Sequence, residues 1–320
     1  RSPDFYGNPK VSMKIVFFGS SDFSLKPFEA CLASGHEVVL VVTTPPKRKG
    51  RGLHLEPTAV RAAADKHQLP AGEFPDLREP SVLQKLMALA PDIFVVASYG
   101  KIIPPALFTI PRYRLNVHPS LIPLYRGAAP LNWPILNGDA ETGVSIIDIA
   151  EKMDAGDVYY QTRYPIHPAM NAAELSHELA KLSAEALATV FAKIAKGELM
   201  GVPQDESRAT VARKLTKEDG LVSFSDPAVT TGRKVRGLAP WPGACFFFQS
   251  ERVTIVSADP VPCEASEPGM ILSIDKSGSV VVATGADALR IFRVKPEGRN
   301  VMPAADFLNG RRLSVGAVLK

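Results

Sequence analysis

An alternation of short apolar runs with helix-like segments constrains the fold of the N-terminal part of the chain more than any other feature. The runs are Lys14–Phe18, Val38–Val42, Ile93–Ala97, Leu115–His118 and Val144–Ile149. Most of them are apolar on both faces, which is typical of strands that helices cover on either side of a sheet. The alternation therefore predicts an α/β domain with a largely parallel sheet.

The segments between these runs have the spacing of amphipathic helices. The first carries Leu25, Phe28 and Leu32 on one face. The last, Ala172–Lys196, is long and amphipathic, and we expect it to close the first domain.

Four segments follow from these patterns. Residues 1–12 lack an apolar signal core, and we expect an expression remnant or a disordered extension there. Residues 13–196 form the α/β domain, and residues 197–213, which are polar and without a clear period, form a linker. Residues 214–320 contain short strand-like runs separated by turn residues, and Lys276–Gly278 fits a hairpin turn. This predicts a small β-barrel, for which an OB-like barrel is a good candidate.

The cysteine content and the charge exclude several classes of protein. Three cysteines without a CxxC pair argue against a disulfide framework or a zinc site and for a reducing compartment, here the cytoplasm. No apolar run approaches the roughly 18 residues of a transmembrane helix. From Arg208 onward 16 Lys and Arg stand against 11 Asp and Glu, whereas the preceding residues carry a net charge of −1. A nucleic-acid-facing domain would have this basic excess, and chance surface charge explains it equally well.

The stretch Asn116–Pro130 places an asparagine and a histidine two residues apart where a predicted strand ends. Asn116 and His118 therefore point to the same face of that strand. In an open parallel sheet, ligands bind beyond the carboxyl ends of the strands. Ser98–Gly100 follows the third predicted strand and Asp154–Asp157 follows the fifth. We expect these segments to meet Asn116 and His118 at one edge of the sheet.

An asparagine, a histidine and an aspartate form a recognisable chemical set. The amide donates hydrogen bonds, the imidazole transfers protons, and the carboxylate orients and tunes the imidazole. Ser120 lies close in the sequence but lacks the GxSxG elbow of a nucleophilic serine. The loop after the first strand lacks GxGxxG, so a dinucleotide site is not expected. The set favours direct transfer of an acyl-like group to an amine.

Each residue of this set also has a structural explanation. His118 would be buried as a hydrogen-bonded core histidine, and Asn116 would cap the turn after its strand. Asp154 would form an Asx turn, with Asp157 as the rival carboxylate. These explanations stay open as long as the three residues are considered one at a time.

A longer pattern of motifs resembles a known family. The motifs are NVHPSLIPLYRGAAP from Asn116, Gly50–Gly52, Gly138–Val144, Met153–Asp157, Lys214–Gly220 and Ala239–Gly243. Together they resemble the formyltransferases that use 10-formyltetrahydrofolate, and among these the methionyl-tRNA formyltransferases. The resemblance extends from Met13 to the end of the sequence, with both domains in the family's order.

The resemblance implies a Rossmann-like formyltransferase domain with a mostly parallel sheet, followed by a small C-terminal OB-like β-barrel domain that binds tRNA. The implied catalytic residues are Asn116, His118 and Asp154. The residues implied to bind the folate are Ser120, Leu121, Ile122, Pro123, Tyr99, Gly100 and Met153. The residues implied to bind tRNA are Lys47, Arg48, Lys49 and Arg51. The implied formyl donor is 10-formyltetrahydrofolate and the implied acceptor is initiator methionyl-tRNA. We expect a monomer that needs no metal.

Some positions depart from the family pattern. Leu124 stands where arginine is common, Ser21 where proline is usual, and Leu238-Ala239 where the family has Phe-Asn. None of them belongs to the implied catalytic residues, so they bear on the affinity for folate or tRNA and not on the reaction.

Two other functions remain open from the sequence. One is another transformylase or hydrolase that uses the same folate, and the other is a non-catalytic RNA-binding relative. The basic run Lys47–Arg51 and the basic C-terminal third favour tRNA, although such a run also fits an ordinary solvated loop. Arg126, in the central motif, is expected either to position its loop or to contact the substrate.

Overall fold

The structure is a computed structural model, and it describes residues 12–49 and 54–319. Its strands are β1 (Lys14–Gly19), β2 (Glu37–Thr43), β3 (Lys47–Lys49), β4 (His54–Glu56), β5 (Ala71–Glu73), β6 (Ile93–Ala97), β7 (Tyr113–His118), β8 (Arg126–Gly127), β9 (Glu141–Ile147), β10 (Val158–Pro165), β11 (Val211–Ala212), β12 (Cys245–Phe248), β13 (Glu251–Val261), β14 (Ile271–Ile274), β15 (Val280–Ala283), β16 (Ala288–Pro296) and β17 (Met302–Pro303). Its helices are α1 (Leu25–Ala33), α2 (Ala59–Lys66), α3 (Pro80–Leu89), α4 (Trp133–Asn137), α5 (Ala172–Lys196), α6 (Ala228–Gly237) and α7 (Ala304–Gly310).

The chain divides into two compact units, which differ from the domains predicted from the sequence. The first unit runs to Gly127 and adds Thr142–Tyr164 and Ser176–Val211. The second unit starts at Ala212 and takes in two earlier segments, Ala128–Glu141 and Pro165–Leu175. The predicted limits of 13–196, 197–213 and 214–320 stay a prediction.

The first unit contains a seven-stranded sheet in the order β10-β9-β7-β6-β1-β2-β5. The strands from β5 to β7 in this order are parallel, which confirms the predicted α/β class. However, β9 runs antiparallel to β7, so the expectation that the fifth predicted strand ends at the same edge as the fourth is wrong. The edge strands β5 and β10 were not predicted, because they are short or alternate with polar and exposed residues.

Neighbouring aromatic residues of β1 show why the sheet is covered on both faces. Successive side chains of a strand point to opposite faces. Phe17 packs on Phe28 of α1, with 5.1 Å between the ring centroids. Phe18 packs on Phe94 of β6 at 5.0 Å, in a cluster that includes Leu86 of α3. The apolar runs of the sequence are therefore core strands between two helical layers.

The carboxyl ends of β1, β6 and β7 lie side by side. Gly19 pairs with Ala97, and Ala97 pairs with Val117. The strand order reverses between β1 and β6. Open α/β sheets bind their ligands beyond the carboxyl ends of the strands at such a reversal. Gly19 is needed at this point, because a Cβ there would lie 2.6 Å from the Phe17 ring and 3.1 Å from the carbonyl oxygen of Ala97.

Two segments predicted to be irregular are ordered by pairing. The basic loop contains a hairpin, in which Lys47–Lys49 pairs antiparallel with His54–Glu56. Residues 50–53 of that loop lie outside the described residues, as do residues 1–11. The predicted linker is tied to the first unit, since Val158 and Val202 exchange backbone hydrogen bonds of 2.8 and 3.0 Å.

The second unit is built on a six-stranded antiparallel sheet in the order β12-β13-β16-β15-β14, with β17 beside β16. Its core contains Val282, Leu289 and Ile291, all at most 2% exposed. Phe307 of α7 covers this core against Phe246 and Phe248, at 6.4 and 6.0 Å between ring centroids. The prediction of a C-terminal β domain is confirmed, and the helices α6 and α7 were not predicted.

Candidate active site

Asn116 and His118 of β7 face one carboxylate, that of Asp154. The amide Nδ2 of Asn116 donates to Asp154 Oδ1 at 3.0 Å, and His118 Nδ1 lies 3.6 Å from Asp154 Oδ2. The backbone N–H of Gly127 donates to Asp154 Oδ2 at 2.8 Å. Asp157, the rival carboxylate, is exposed. The structure thus brings the three residues together in a group in which His118 is buried, at 4% exposed, while Asn116 and Asp154 are partly exposed.

Asp154 reaches this group by a route that the sequence did not indicate. Ile147, at the carboxyl end of β9, lies opposite Asn116 because β9 is antiparallel to β7. The next residue, Asp148, forms an ion pair with Arg114 at 2.7 Å near the start of β7. The chain then turns back, and a Cβ at Gly156 would lie 2.0 Å from the carbonyl oxygen of Asp148. A glycine is therefore required two residues after Asp154.

The hydrogen-bond partner of His118 fixes its tautomer. Nε2 of the ring lies 2.8 Å from the carbonyl oxygen of Tyr125. A carbonyl oxygen only accepts hydrogen bonds, so Nε2 carries a proton. In the neutral ring, Nδ1 is then the unprotonated nitrogen. The atom of His118 that is able to take up a proton is therefore the one beside Asp154.

The backbone around the group adopts left-handed conformations at three residues other than glycine. Their φ angles are 45° at Ser98, 62° at Tyr125 and 53° at Asp154. Each such residue costs roughly 1–3 kcal/mol and persists only where its surroundings hold it in place. Tyr125 is held through its backbone, because its N–H donates to Thr210 Oγ1 at 2.8 Å and its carbonyl oxygen accepts from His118.

A buried arginine next to this turn connects it to the segment predicted to be a linker. Arg126 is 5% exposed, and its guanidinium donates to the amide oxygen of Gln204 through Nε at 3.0 Å and Nη2 at 2.6 Å. It also binds the Glu206 carboxylate through Nη2 at 2.6 Å and Nη1 at 3.2 Å. The amide nitrogen of Gln204 donates in turn to the carbonyl oxygens of Asp154 and Gly156. Arg126 thus positions loops, which is one of the two roles that the sequence left open for it.

The ion pairs of Glu206 have an electrostatic consequence. Its hydrogen bond with Arg126, followed by the one with Lys152, lowers the pKa of the Glu206 carboxyl from 4.5 to about 2. The carboxylate therefore stays charged far into the acid range. Its side chain is 56% exposed, so water weakens these ion pairs.

Sequence reasoning missed Thr210, Gln204 and Glu206 because nothing in a polar, aperiodic segment marks them. One signal was present. An arginine within the apolar motif LYRGAAP is expected to be buried, and a buried charge needs a partner. That signal predicts a carboxylate near Arg126 but does not identify which one.

Comparison with known proteins assigns the family. The family model "Formyl transferase" matches residues 13–191, and the model "Formyl transferase, C-terminal domain" matches residues 214–312. The chain belongs to the formyltransferase family. The protein named methionyl-tRNA formyltransferase of Chloroflexus aurantiacus is 40% identical over 300 residues, which cover 93% of this chain and 97% of the relative. The protein of the same name from Geobacter sulfurreducens is 37% identical over 310 residues, 97% of each chain.

Two solved structures share the formyltransferase fold at low identity. HypX from Aquifex aeolicus in complex with tetrahydrofolic acid has a TM-score of 0.66 at 21% identity and covers 95% of this chain, which spans 48% of HypX. The N-formyltransferase from Helicobacter canadensis, in complex with folinic acid and dTDP-3-aminofucose, has a TM-score of 0.66 at 13% identity, covering 87% of this chain and 98% of its own.

The loop that the formyltransferase resemblance assigns to the folate is held by hydrogen bonds within itself and to the strands β9 and β10. The Ser120 hydroxyl is buried and donates to the carbonyl oxygen of Leu124 at 2.6 Å. The Ser145 hydroxyl accepts from the N–H of Ile122 at 3.2 Å. Gln161 donates to the carbonyl oxygen of Ile122 at 2.9 Å. Because these polar groups are occupied, the loop presents the half-buried side chains of Leu121 and Pro123.

The other residues assigned to the folate differ in what they expose. The Tyr99 ring is buried against Phe18 at 5.6 Å, and this burial raises the pKa of Tyr99 to about 12. The carbonyl oxygen of Tyr99 accepts from Ser20 Oγ at 3.1 Å. Gly100 is exposed, and Met153, beside Asp154, is 56% exposed. A ligand would therefore meet the side chain of Met153 but only the backbone of Tyr99.

Of the residues assigned to tRNA, Lys47, Arg48 and Lys49 form β3 of the hairpin, and Arg51 lies outside the described residues. Among residues 12–49 and 54–319, no three His, Cys, Asp or Glu side chains are grouped so that they would bind a metal ion. Within the part of the chain that the structure describes, no helix is both long and apolar enough to cross a membrane.

Proposed function

We propose that this protein transfers a formyl group from 10-formyltetrahydrofolate to the free amino group of initiator methionyl-tRNA, giving formylmethionyl-tRNA for translation initiation. The observation that carries the proposal is the Asn116–Asp154–His118 group, in a chain whose relatives over nearly their full length are methionyl-tRNA formyltransferases. The tetrahydrofolic acid bound to HypX supports a folate donor. We propose that the enzyme acts in the cytoplasm as a monomer.

The proposed reaction is an acyl transfer without a covalent enzyme intermediate. The neutral amine attacks the formyl carbon, a C–N bond forms, and the carbonyl oxygen becomes an oxyanion. The attacking nitrogen is then positively charged, and a base removes its extra proton. The intermediate collapses, the bond from carbon to N10 of the folate breaks, and N10 takes up a proton. No oxidation or reduction takes place.

The geometry around β7 suggests a role for each residue. His118 Nδ1 takes the amine proton, because Nε2 already carries one for the Tyr125 carbonyl. The Asp154 carboxylate, 3.6 Å from Nδ1, stabilises the imidazolium that results. One amide hydrogen of Asn116 bonds to Asp154, and the second has no partner among the described residues, so it is available to the oxyanion. If the protonated His118 also binds the oxyanion, it must use Nδ1–H.

The proposed binding surfaces lie next to this group and on basic segments. The folate would lie against Gly100, Leu121, Pro123 and Met153, the partly or largely exposed members of the set implied by the resemblance. The tRNA would contact the hairpin of β3 and β4 and the basic surface of the second unit, where Arg293 and Lys295 of β16 are exposed. Each such phosphate contact contributes salt-dependent affinity.

The function is tested by supplying labelled 10-formyltetrahydrofolate with methionyl-initiator-tRNA and with glycinamide ribonucleotide as a competing acceptor. We expect the label on the aminoacyl-tRNA. Label on glycinamide ribonucleotide would instead indicate a purine-pathway transformylase, and released formate would indicate a hydrolase. Binding of tRNA without any transfer would indicate the non-catalytic relative.

The choice of tRNA as acceptor is tested through the basic segment. Each phosphate neutralised adds about −0.7 to −0.9 to the slope of log affinity against log salt. Replacing all four residues of the set Lys47, Arg48, Lys49 and Arg51 with alanine should flatten the slope for tRNA binding by about two to three units, if one of the four side chains stays in solvent. Binding of the folate alone should hardly change.

The matched control replaces four basic residues elsewhere in the first unit. They are Lys26, Lys66, Arg78 and Lys85. This control removes the same number of positive charges as the first variant, and it should leave most of the salt dependence of tRNA binding intact. If the first variant keeps the slope of the unmodified protein, the basic segment does not contact tRNA.

A further inference from the structure

We propose that Gln204 is a positioning residue that sets the geometry of the Asp154–His118 pair by tying the Asp154 loop to the turn at Tyr125–Gly127. The inference rests on the proposed function, because formyl transfer is the activity that reports it. Gln204 lies in the segment that the sequence indicated as a linker, outside the motifs that carry the family resemblance.

The side-chain amide of Gln204 uses all of its hydrogen-bonding capacity. Its Nε2 donates to the carbonyl oxygens of Asp154 at 2.9 Å and Gly156 at 2.6 Å. Its Oε1 accepts two hydrogen bonds from the Arg126 guanidinium. A guanidinium only donates, so Arg126 fixes which end of the amide faces the Asp154 loop. The amide is thus oriented by one loop while it holds the other.

The turn on the Arg126 side contacts both members of the pair. The carbonyl oxygen of Tyr125 accepts from His118 Nε2, and the N–H of Gly127 donates to Asp154 Oδ2. Arg126 lies between these two residues in the sequence, and its side chain is the one that Gln204 binds. Gln204 therefore joins the part of the chain that holds His118 to the part that carries Asp154.

The Asp154 loop needs such support. Asp154 has a left-handed backbone, and Glu151, Lys152 and Met153 before it are exposed. Without the two bonds from Gln204, the carbonyl oxygens at Asp154 and Gly156 lose the donor that this structure gives them. The loop would then relax toward ordinary dihedral angles and carry the carboxylate away from His118 Nδ1. A displacement of about 1 Å at a reacting group lowers the rate about 10²-fold.

Two substitutions separate the two ends of the amide. Gln204→Met keeps the volume and loses all four hydrogen bonds. Gln204→Glu keeps an oxygen for Arg126 but places a second oxygen against the carbonyl oxygens of Asp154 and Gly156. We expect kcat to fall roughly 10- to 100-fold in both variants, with little change in KM for the folate or for methionyl-tRNA. Gln204→Glu keeps the partner of Arg126, so it is the variant to use if Gln204→Met does not fold.

If Gln204 acts through the Asp154 carboxylate, its substitution should not lower the rate further once that carboxylate has been removed. Under single-turnover conditions with enzyme in excess, Gln204→Glu should therefore cost little in an Asp154→Asn background. Val190→Ala is the control for a general structural loss, since the Val190 side chain is fully buried in α5 and its truncation leaves a cavity. It should lower thermal stability and leave kcat and KM unchanged.

NMR spectroscopy of the His118 ring reports the geometry of the Asp154–His118 pair independently of any activity measurement. The ¹⁵N signals of the His118 ring should shift in Gln204→Glu and stay in place in Val190→Ala. Unchanged ring signals, or a loss of kcat that persists in full without the Asp154 carboxylate, would overturn the positioning role. Neither result bears on whether the unmodified protein formylates methionyl-tRNA, so failure of the inference and failure of the proposed function are distinguishable.

Discussion

The strands of the second unit and the loops around Asp154 hold their shape by different interactions. In the second unit, Val282, Leu289 and Ile291 are buried in one hydrophobic cluster, and burial has no preferred direction. Around Asp154, the backbone is held by directed hydrogen bonds from residues far along the chain, such as Gln204, 50 positions away. Changes in the first region should therefore reduce stability, and changes in the second should reduce the rate.

The largest expected effect is at His118 and Asp154. Alanine at either position should lower kcat roughly 10²- to 10⁴-fold, the range of positioned proton transfer. Residues that act as one unit lose activity non-additively. The double variant His118→Ala/Asp154→Ala should therefore be scarcely slower than the poorer single variant in single-turnover formylation. Losses that multiply would mean that the two residues act independently.

Asn116→Ala should have the next largest effect. The loss of one oxyanion donor lowers turnover roughly 10²- to 10³-fold, and folate binding should change little. Asn116 also donates to Asp154, so the same substitution is needed in an Asp154→Ala background. The loss should largely persist there. If it disappears, Asn116 acts only through Asp154 and does not hold the oxyanion.

Leu289→Ala should show the opposite behaviour. Leu289 is fully buried, so truncation should lower the free energy of unfolding by about 2–5 kcal/mol. The kcat of the folded protein should stay the same. Both tryptophans, Trp133 and Trp241, belong to the second unit, so their fluorescence follows the unfolding of that unit. Val256→Ala, at a 39% exposed position of β13, is the control and should cost much less.

The same contrast explains how much of the fold followed from the sequence. The apolar runs of β1, β2 and β6 were predicted within one residue of each end, because burial on both faces leaves a continuous apolar pattern. The direction of β9 was not predictable in this way. An antiparallel strand in the same buried layer has the same apolar pattern as a parallel one, and only the pairing with β7 distinguishes them.

The candidate site was predictable only where it lies on a strand. Asn116 and His118 share a face because of the period of β7, and this was derived from their spacing. The residues alone predicted a carboxylate beside His118 but did not distinguish Asp154 from Asp157, and the family resemblance made that choice. Spacing could not make it, since Asp154 reaches the group through a loop that turns back. Thr210 and Gln204 left no sequence pattern, because a hydrogen bond between distant loops imposes no period on either of them.

Glu206→Gln should have the smallest effect, and its sign follows from the pKa. The ion pairs with Arg126 and Lys152 lower the pKa of the folded carboxyl from 4.5 to about 2. A carboxyl whose pKa is lower in the folded state stabilises the fold above the unfolded pKa and loses that contribution as the pH falls through the folded one. The unmodified protein should therefore be slightly more stable than Glu206→Gln above pH 4.5, with a difference that shrinks toward pH 2.

Urea unfolding across this pH range measures the difference, and Glu198→Gln, an exposed carboxyl on the same segment, is the control. The difference should be small because the Glu206 side chain is 56% exposed. The Glu206→Gln substitution should also leave kcat nearly unchanged, since Gln204 still binds Arg126 and still holds the Asp154 loop. A large loss of kcat in Glu206→Gln would mean that the orientation of Arg126 depends on its charged partner. The ion pair, and not the amide of Gln204 alone, would then hold the two loops in register.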